Sequence, residues 1–334
     1  DIITFGSATR DIFVKPKNLT VLKYSGDFSA DKGVCFPLGS KIELSDIRFS
    51  SGGGGTNTAA TFAKQGFKTA FCGVIGEDVS GKDLLKELAQ LGIETKLVLT
   101  TNKKVTNHSI IISGGTMDRT ILAYRGASEQ MLKEDVPWKK LKTKWLYLAP
   151  LSGLLCDIFG DIMAFAKKNG IKVAVNPGIQ QLGLPKEKLG EILKMVDVLF
   201  LNQEEASFLT KIPYKDEVNI FKKIDEICPG VAVMTKGGNG VIVSDGNFLY
   251  SAVPPPNRVI IDTTGAGDSF ASGFMSDFIR HSGDIEKAVQ LGIANSSGCI
   301  SKPGAKEGLL EKDQPFERVK VIKSTCDGEV CVVK

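Results

Sequence analysis

The sequence contains few of the residues that build metal centres and disulfide frameworks. Only two of its 334 residues are histidines, and its seven cysteines are scattered without any Cys-x-x-Cys pair. Zinc sites normally need closely spaced cysteine and histidine ligands, and disulfide scaffolds need dense, evenly numbered cysteines. We therefore expect neither kind of site, and we interpret most of the thiols as small hydrophobic residues in a reducing cytoplasm.

Long apolar runs and a strong net charge are also missing. No stretch reaches the roughly 18 apolar residues that a transmembrane helix requires. No basic-then-apolar leader opens the chain, although it begins with Asp1 rather than Met. The formal net charge is only +4, and lysine clusters such as residues 139–142 have no aromatic residues between them. We therefore expect a cytoplasmic protein that binds neither membranes nor nucleic acid.

What the sequence does have is a steady alternation of apolar strands and helices. Candidate strands lie at residues 145–148, 171–175, 197–201 and 231–235, and candidate helices at 154–169, 185–195, 203–210 and 216–227. Nearly continuous apolar strands between helices indicate a parallel sheet that is covered on both faces. Residues 12–50 are different, because short alternating pieces with glycine and proline predict a short-stranded excursion from the core.

An amphipathic helix follows the stretch I-D-T-T-G-A-G-D-S-F at residues 261–270. Phe270, Phe274 and Phe278 lie on one helix face, so the helix begins near Gly265 to Asp268. The first N–H groups of a helix have no intrahelical partner and carry the positive end of its dipole.

Glycines 265 and 267 in this turn let the backbone approach a ligand closely. The stretch therefore predicts an anion site suited to a phosphate whose charge grows during transfer. The Gly-Ala-Gly step on its own fits better with an ordinary strand-to-helix turn, in which Asp268 is simply an acid favoured at a helix N-terminus.

The whole nonapeptide Asp262–Phe270 resembles the C-terminal motif of the ribokinase-like family of sugar and nucleoside kinases, the phosphofructokinase B type. The resemblance extends over roughly residues 1–310. Its other motifs are G-S-A-T-R-D at residues 6–11, G-G-G-G-T-N at 52–57, G-V-I-G-E-D at 73–78, N-Q-E-E at 202–205 and T-K-G-G-N-G at 235–240.

This resemblance implies an α/β protein with a three-layer α/β/α ribokinase-like fold, a mostly parallel sheet and a small β-sheet lid. The core would comprise residues 1–11, 51–104 and 127–320. The lid would comprise residues 12–50 and 105–126, and residues 321–334 would form a C-terminal tail.

The family's functional residues map onto matching positions of this chain. The resemblance implies that Asp268 removes the proton from the substrate hydroxyl and that the N–H groups of Gly265, Ala266 and Gly267 stabilise the transferred phosphoryl group. The implied substrate-binding residues are Asp11, Gly53 and Asn57, and the implied nucleotide-binding residues are Asn202, Thr235, Gly237, Gly240 and Asn295. Glu205 would hold Mg²⁺ through water, and Asp262 contributes to a monovalent-cation (K⁺) site in some members.

Several of these residues also have a purely structural interpretation. Asn202 and Glu205 fit a helix capping box as well as they fit a nucleotide and metal site. Asn295 fits a helix surface equally well. Asp11 alone reads as a loop acid, and Asn57 alone as a polar residue in the first turn of a helix.

Two departures from ribokinase bear on the expected substrate and cation. Gly54 stands where ribokinase usually has lysine, so the resemblance does not fix ribose as the substrate. The run from Asn295 to Ala305 is shorter than in ribokinase, where that turn helps to build the cation site. This difference argues against potassium dependence.

We therefore predict a kinase that uses ATP and Mg²⁺ to phosphorylate a hydroxymethyl group of a pentose or hexose. The alternatives are an adenosine-like nucleoside kinase and a catalytically silent regulator that binds sugar or nucleotide, which the intact Asp268 disfavours. A dinucleotide-dependent oxidoreductase lacks support, because no G-x-G-x-x-G follows the first strand. The lid strands have apolar faces that predict a homodimer through the lid, and these include Val34, Phe36, Ile110, Ile112, Ile121 and Leu122.

Overall fold

The structure is a computed structural model that describes residues 1–23, 32–113, 119–327 and 330–333. Its strands, numbered in chain order, are β1 (Ile2–Phe5), β2 (Thr9–Pro16), β3 (Thr20–Lys23), β4 (Lys32–Cys35), β5 (Leu44–Gly52), β6 (Thr69–Gly76), β7 (Val98–Thr101), β8 (Asn107–Ser113), β9 (Arg119–Tyr124), β10 (Trp145–Leu148), β11 (Lys172–Val175), β12 (Val198–Asn202), β13 (Val231–Thr235), β14 (Val241–Ser244), β15 (Phe248–Ala252), β16 (Ile322–Asp327) and β17 (Val330–Val333).

The α-helices of the described residues alternate with many of these strands. They are α1 (Gly54–Lys64), α2 (Val79–Gln90), α3 (Leu154–Asp157), α4 (Phe159–Lys168), α5 (Ile179–Leu182), α6 (Lys186–Leu193), α7 (Gln203–Thr210), α8 (Glu217–Ile227), α9 (Ala266–Arg280) and α10 (Ile285–Ile300). The helix predicted at 154–169 is interrupted at Ile158, which buries its side chain between α3 and α4. No helix of the described residues is long and apolar enough to cross a bilayer.

A large central sheet organises the molecule, with strand order β17-β16-β15-β14-β13-β12-β11-β10-β1-β6-β7. Strands β7 to β13 in this order pair in parallel, whereas β14, β15, β16 and β17 are antiparallel additions at one edge. The carboxyl ends of the parallel strands therefore share one edge, where ligand groups gather in open α/β sheets.

Helices cover both faces of this sheet, which makes three layers. On β10, Leu146 and Leu148 pack into one core with α4, α6 and α8. The alternate residues Trp145 and Tyr147 pack into a second core with α1, α9 and α10. Residues buried on both sides explain the nearly continuous apolar strands. The predicted three-layer α/β/α fold with a mostly parallel sheet is confirmed.

A second, smaller sheet has the order β5-β2-β8-β9, and β3 pairs with β4 beside it. These strands occupy most of the segments 12–50 and 105–126 that were predicted to form the lid, but β2 begins three residues earlier, at Thr9, and β5 ends two residues later, at Gly52. Residues 24–31 and 114–118 of these segments lie outside the described part of the chain. Strand β2 starts at Thr9, four residues after β1 ends at Phe5. The chain therefore passes directly from the main sheet into the small one near Asp11.

The segment 321–334, which we set apart as a tail, contributes its described residues to the main sheet. β16 pairs antiparallel with β15, and β17 pairs with β16. An edge strand presents unpaired backbone groups, and β16 satisfies those of β15.

Candidate active site

The turn before α9 leaves an open space in front of the first helical residues. Gly265 has a left-handed conformation with φ 73°, which favours glycine. A Cβ at Gly265 would lie 2.5 Å from the Cβ of Ala305, so the two loops approach too closely for a side chain. At Gly267 a Cβ would meet nothing within 4 Å.

The Ala266 N–H donates to the carbonyl of Thr263 at 3.3 Å, so this one of the three predicted N–H groups is already engaged within the turn. The space around Gly267 leaves room for a ligand at the start of α9, where an anion site was predicted.

Asn57 and Asp268 meet across the molecule, although 211 residues separate them. The Asn57 side-chain amide Nδ2 donates to Asp268 Oδ2 at 2.8 Å, which joins the first turn of α1 to the first turn of α9. The other atom of the amide, Asn57 Oδ1, is buried and has no hydrogen-bond partner within the described ranges. A buried acceptor without a partner is costly, so a donor from a bound molecule would stabilise it.

Asp268 has the electrostatic character expected of a base. Burial raises the pKa of the Asp268 carboxyl, and the hydrogen bond from Asn57 and the charge of Lys306 act in the opposite direction. A raised pKa makes the carboxylate a stronger proton acceptor.

Asp11 is only 5% exposed. Burial raises the pKa of its carboxyl to about 6, against the opposing effects of the Ser109 hydroxyl and the Lys306 charge. A Cβ at Gly52 would lie 2.1 Å from Asp11 Oδ2. The end of β5 therefore leaves room for the Asp11 carboxylate only because residue 52 is glycine. Gly53 follows as the N-cap of α1 with φ 97°. The structure therefore brings Asp11 and Gly53 to the end of the site where Asn57 lies.

Lys306 is a buried cation that the sequence analysis did not identify. Its side chain is 9% exposed. Lys306 Nζ donates to Ser51 Oγ at 2.5 Å and to Glu87 Oε1 at 3.4 Å. Burial lowers the pKa of Lys306, while the charges of Glu87, Asp11 and Asp268 raise it. Lys306 thus places a positive charge within reach of both carboxylates of the site.

A cavity of about 100 Å³ adjoins the α9 turn on the side of β13. The residues that line it include Thr235, Gly237, Gly240, Ala266, Gly267 and Arg258. Three predicted nucleotide-binding residues and two residues of the anion turn therefore share one cavity. The Nε atom of Arg258 is buried and has no hydrogen-bond partner among the described residues. The sequence analysis did not identify this arginine as a site residue.

Asn202 and Glu205 lie at the carboxyl end of β12 and form a capping box on α7. Asn202 Oδ1 accepts from the Glu205 N–H at 2.8 Å, and Glu205 Oε2 accepts from the Asn202 N–H at 2.9 Å. Burial raises the pKa of the Glu205 carboxyl, against the hydrogen bond from Asn202. Asn202 is exposed and pairs in register with Thr235 of the cavity. The structural interpretation of this motif holds, and the motif still borders the nucleotide side.

Asn295 is fully buried in α10, so its interpretation as a helix-surface residue is wrong. Its amide donates to Ser269 O at 2.7 Å, and its oxygen accepts from the Leu310 N–H at 2.8 Å. Its polar atoms therefore join α9, α10 and the following loop. Ile293 and Ser296 of the same helix line the cavity beside the α9 turn, and the nucleotide-binding role of Asn295 stays a prediction.

Asp262 is held by donors from three parts of the chain: Arg119 of β9, Thr264 of its own loop and the backbone of Gly304. Burial raises the pKa of the Asp262 carboxyl, but the hydrogen bonds and the Arg119 charge outweigh this effect, so the pKa is lowered. Asp262 therefore stays ionised and fixes the loop that leads into the anion turn.

Residues 23–313 match the profile of the pfkB family carbohydrate kinase. The chain belongs to this family. The predicted family resemblance is confirmed, and the protein is a phosphotransferase with an alcohol group as acceptor, of the class of sugar and nucleoside kinases.

Several curated pfkB-family relatives resemble this chain over most of its length. A ribokinase of Haemophilus influenzae is 28% identical over 90% of this chain and 98% of its own length. A nucleoside kinase of Methanothermobacter thermautotrophicus is 25% identical over 81% of this chain and 85% of its own length.

A solved structure agrees with this relationship at the level of the fold. Arabidopsis thaliana ribokinase, solved with ribose and ATP, superposes with a TM-score of 0.75 at 23% identity, covering 93% of this chain and 95% of the other.

Proposed function

We propose that this pfkB-family protein transfers the γ-phosphoryl group of ATP to a hydroxymethyl group of a small sugar, a pentose or hexose. The observation that carries the proposal is the Asn57–Asp268 pair at the start of α9, where a carboxylate of raised pKa stands beside an open helix N-terminus. The Asp268 carboxylate can accept a proton there, and the helix N-terminus can receive a phosphate. A kinase needs both functions at the same point.

In the proposed reaction, Asp268 takes the proton of the acceptor hydroxyl. The hydroxyl oxygen bonds to the γ-phosphorus, the bond from that phosphorus to the β-phosphate oxygen breaks, and ADP leaves with the electron pair. The N–H groups of the Gly265–Gly267 turn stabilise the charge on the phosphoryl oxygens during transfer. Asn57 keeps Asp268 oriented through the 2.8 Å hydrogen bond.

The acceptor sugar lies against Asp11 and Asn57 in this proposal. A carboxylate and an amide oxygen both accept hydrogen bonds from sugar hydroxyl groups. Asn57 Oδ1 has no partner in the described part of the chain, which supports its assignment to a ligand hydroxyl. Gly53, at the N-terminus of α1, places its backbone beside Asp11 and Asn57.

The residues present fit a magnesium ion that arrives with the nucleotide. The described residues contain no group of three or more His, Cys, Asp or Glu side chains that could hold a metal ion. They therefore do not form a metal site made of protein ligands alone. Glu205 Oε2 is engaged by the Asn202 N–H, and the second oxygen remains for a water of the ion. Glu205 would hold the ion through water, and the ion would supply positive charge against the phosphate groups.

A nucleoside is the second candidate acceptor. Between the small sheet and the core lies a cavity of about 250 Å³, whose lining includes Phe13, Ile111, Ile260 and Ile261. An apolar wall of this kind suits a base attached to the sugar, and the relatives include nucleoside kinases.

We also propose that the protein is a homodimer through the lid. Phe49, Ile110 and Leu122 follow one another across the small sheet in register, with Ile12 between Phe49 and Ile110. Phe49, Ile110 and Leu122 are 58%, 38% and 53% exposed. Opposite residues share a sheet face, so this apolar surface is continuous.

The dimer proposal is tested by light scattering at micromolar concentration, with an expected mass of about twice 35.9 kDa. Leu122→Asp should yield monomers, whereas Val79→Asp, which adds the same charge at an exposed valine on α2, should not. A monomeric wild-type protein would overturn the proposal.

The activity is tested by a coupled assay for ADP release against pentoses, hexoses, sugar phosphates and nucleosides, with Asp268→Asn as the inactive control. We expect one class of pentose or hexose to be phosphorylated most efficiently. Preference for a nucleoside would select the second candidate. Binding of sugar or ATP without turnover of any acceptor would select a silent regulator.

A further inference from the structure

Arg119 reaches from the small sheet to the loop before the anion turn. Its guanidinium Nη1 lies 2.5 Å from Asp262 Oδ1 and 2.7 Å from Thr264 Oγ1. The Arg119 and Asp262 side chains are 26% and 11% exposed, so water screens the pair only weakly. The first residue of β9 therefore supplies a positive charge to the phosphate end of the site.

Oδ1 of Asp262 is fully occupied, because it also accepts from the Thr264 N–H at 2.9 Å and the Thr264 hydroxyl at 2.6 Å. Oδ2 accepts from the Gly304 N–H at 2.9 Å. A monovalent cation at Oδ1 would have to displace the guanidinium, and a cation at Oδ2 would be repelled by the guanidinium charge on the same carboxylate. The residues of this chain therefore do not fit the cation site that the family resemblance implies at Asp262.

We infer that Arg119 takes the place of a monovalent cation in this protein, so that phosphoryl transfer requires no K⁺. The inference deepens the proposed kinase function and rests on it for the kinetic part of its test. Arg119 is a positioning residue, because it touches neither of the reacting groups and acts through Asp262.

The consequence of the pair is a fixed loop. Asp262 ties its own loop to Gly304, and Ala305 packs so closely on Gly265 that no side chain fits there. The Arg119 guanidinium holds the Asp262 side chain in place, and Asp262 in turn fixes the Gly304–Ala305 segment that packs against the left-handed Gly265. A guanidinium on a strand performs this role permanently, whereas a dissociable ion performs it only when bound.

The kinetic test compares initial rates in K⁺, Na⁺ and tetramethylammonium chloride at equal ionic strength, with the acceptor found by the substrate assay. Wild-type rates should agree within about twofold, because screening is equal in the three salts. Arg119→Gln should lower kcat by at least about tenfold, because it leaves Asp262 without its charge partner. Lys17→Gln is the control, since it removes another ion pair of the lid, between Lys17 and Glu43, that makes no contact with Asp262.

The second readout needs no acceptor and separates this inference from the kinase proposal. Thermal unfolding in the same three salts should show no K⁺-specific change for wild type or Lys17→Gln. Arg119→Gln should gain a K⁺-specific rise of its midpoint, and Arg119→Lys, which keeps the charge, should not. K⁺ activation of wild type, full activity of Arg119→Gln or a cation response equal in all variants would each overturn the inference.

Discussion

Backbone groups within one short stretch, Asp262 to Asp268, form most of the phosphate end of the site, whereas side chains from distant segments form the acceptor end. At the acceptor end Asp11 comes from β2, Asn57 from α1 and Lys306 from the loop after α10. The phosphate end is open at Gly267, and its Asp262 is fixed by Thr264 of the same loop together with Arg119 and Gly304. The acceptor end is buried, and the charges of three carboxylates, Glu87, Asp11 and Asp268, act on the Lys306 ammonium group.

This difference assigns separate duties to the two ends. Phosphates are alike in every ATP molecule, so backbone N–H groups suffice to receive them. Acceptors differ in their hydroxyl groups. Buried polar side chains discriminate between them, because a ligand that lacks the matching hydroxyl leaves these side chains without a hydrogen bond. The variants below test whether the two duties are separable.

Asp268→Asn should have the largest effect, because Asp268 stands between the two ends. Loss of a positioned general base costs about 10²–10⁴-fold in kcat. ATP affinity, measured by calorimetry, should stay nearly unchanged, and Asp83→Asn on the exposed face of α2 is the control. A variant that retains more than half of the wild-type kcat would exclude Asp268 as the base.

Asp11 should make the free energy of unfolding decrease as pH rises. Its pKa is about 6 in the folded protein against 3.8 for the free group. From about pH 4 to about pH 6 the unfolded chain has released this proton while the folded chain still holds it, so stability decreases as pH rises. Asp268 and Glu205 act with the same sign, because burial raises their pKa values as well.

The measurement is urea unfolding of wild type and Asp11→Asn across that pH range. Between these pH values the free energy of unfolding should decrease by roughly 3 kcal/mol less in the variant than in wild type, which corresponds to the shift in the Asp11 pKa. Parallel stability curves for the two proteins would show that Asp11 is not held protonated by burial.

Lys306→Met should weaken catalysis at neutral pH by roughly tenfold and move the acid limb of the kcat/KM profile to higher pH. The Lys306 charge lowers the pKa values of Asp11 and Asp268, so its removal lets both carboxyl groups hold their protons longer. Lys302→Met, at an exposed position in the same loop, is the control. If activity falls without movement of the acid limb, Lys306 acts through packing alone.

Glu205→Gln should have the smallest effect, a rise in the Mg²⁺ concentration that gives half of the maximal rate at saturating ATP. Glutamine keeps an oxygen for the Asn202 N–H and removes the charge. Glu204→Gln changes the exposed neighbouring carboxylate and should leave the titration unchanged. An unchanged curve for Glu205→Gln would leave Glu205 with its capping role only.

How far sequence reasoning reaches also differs between the two ends. The anion turn was predictable, because Gly265, Gly267 and Asp268 are contiguous and the phenylalanine spacing locates the helix start. The capping box was predictable for the same reason, since Asn202 and Glu205 are three residues apart.

The residues that sequence reasoning missed depend on long-range packing. Lys306 lies in an ordinary Gly-Ala-Lys-Glu-Gly loop, and lysine is rarely buried, so nothing in its neighbours marks it. Arg119 meets Asp262 across 143 residues. Asn295 is buried between α9 and the loop at Leu310, which its helix position alone does not predict.

The most direct test of the division between the two ends compares Asp11→Ala with Thr235→Ala, each measured for ATP affinity by calorimetry and for acceptor kcat/KM by rate. Asp11→Ala should lower acceptor kcat/KM by at least roughly tenfold and leave the ATP Kd unchanged, because a buried hydroxyl contact loses its charged acceptor. Thr235→Ala should weaken ATP and spare the acceptor. If Asp11→Ala instead weakens ATP and leaves the acceptor kinetics intact, the acceptor has been assigned to the wrong end of the site.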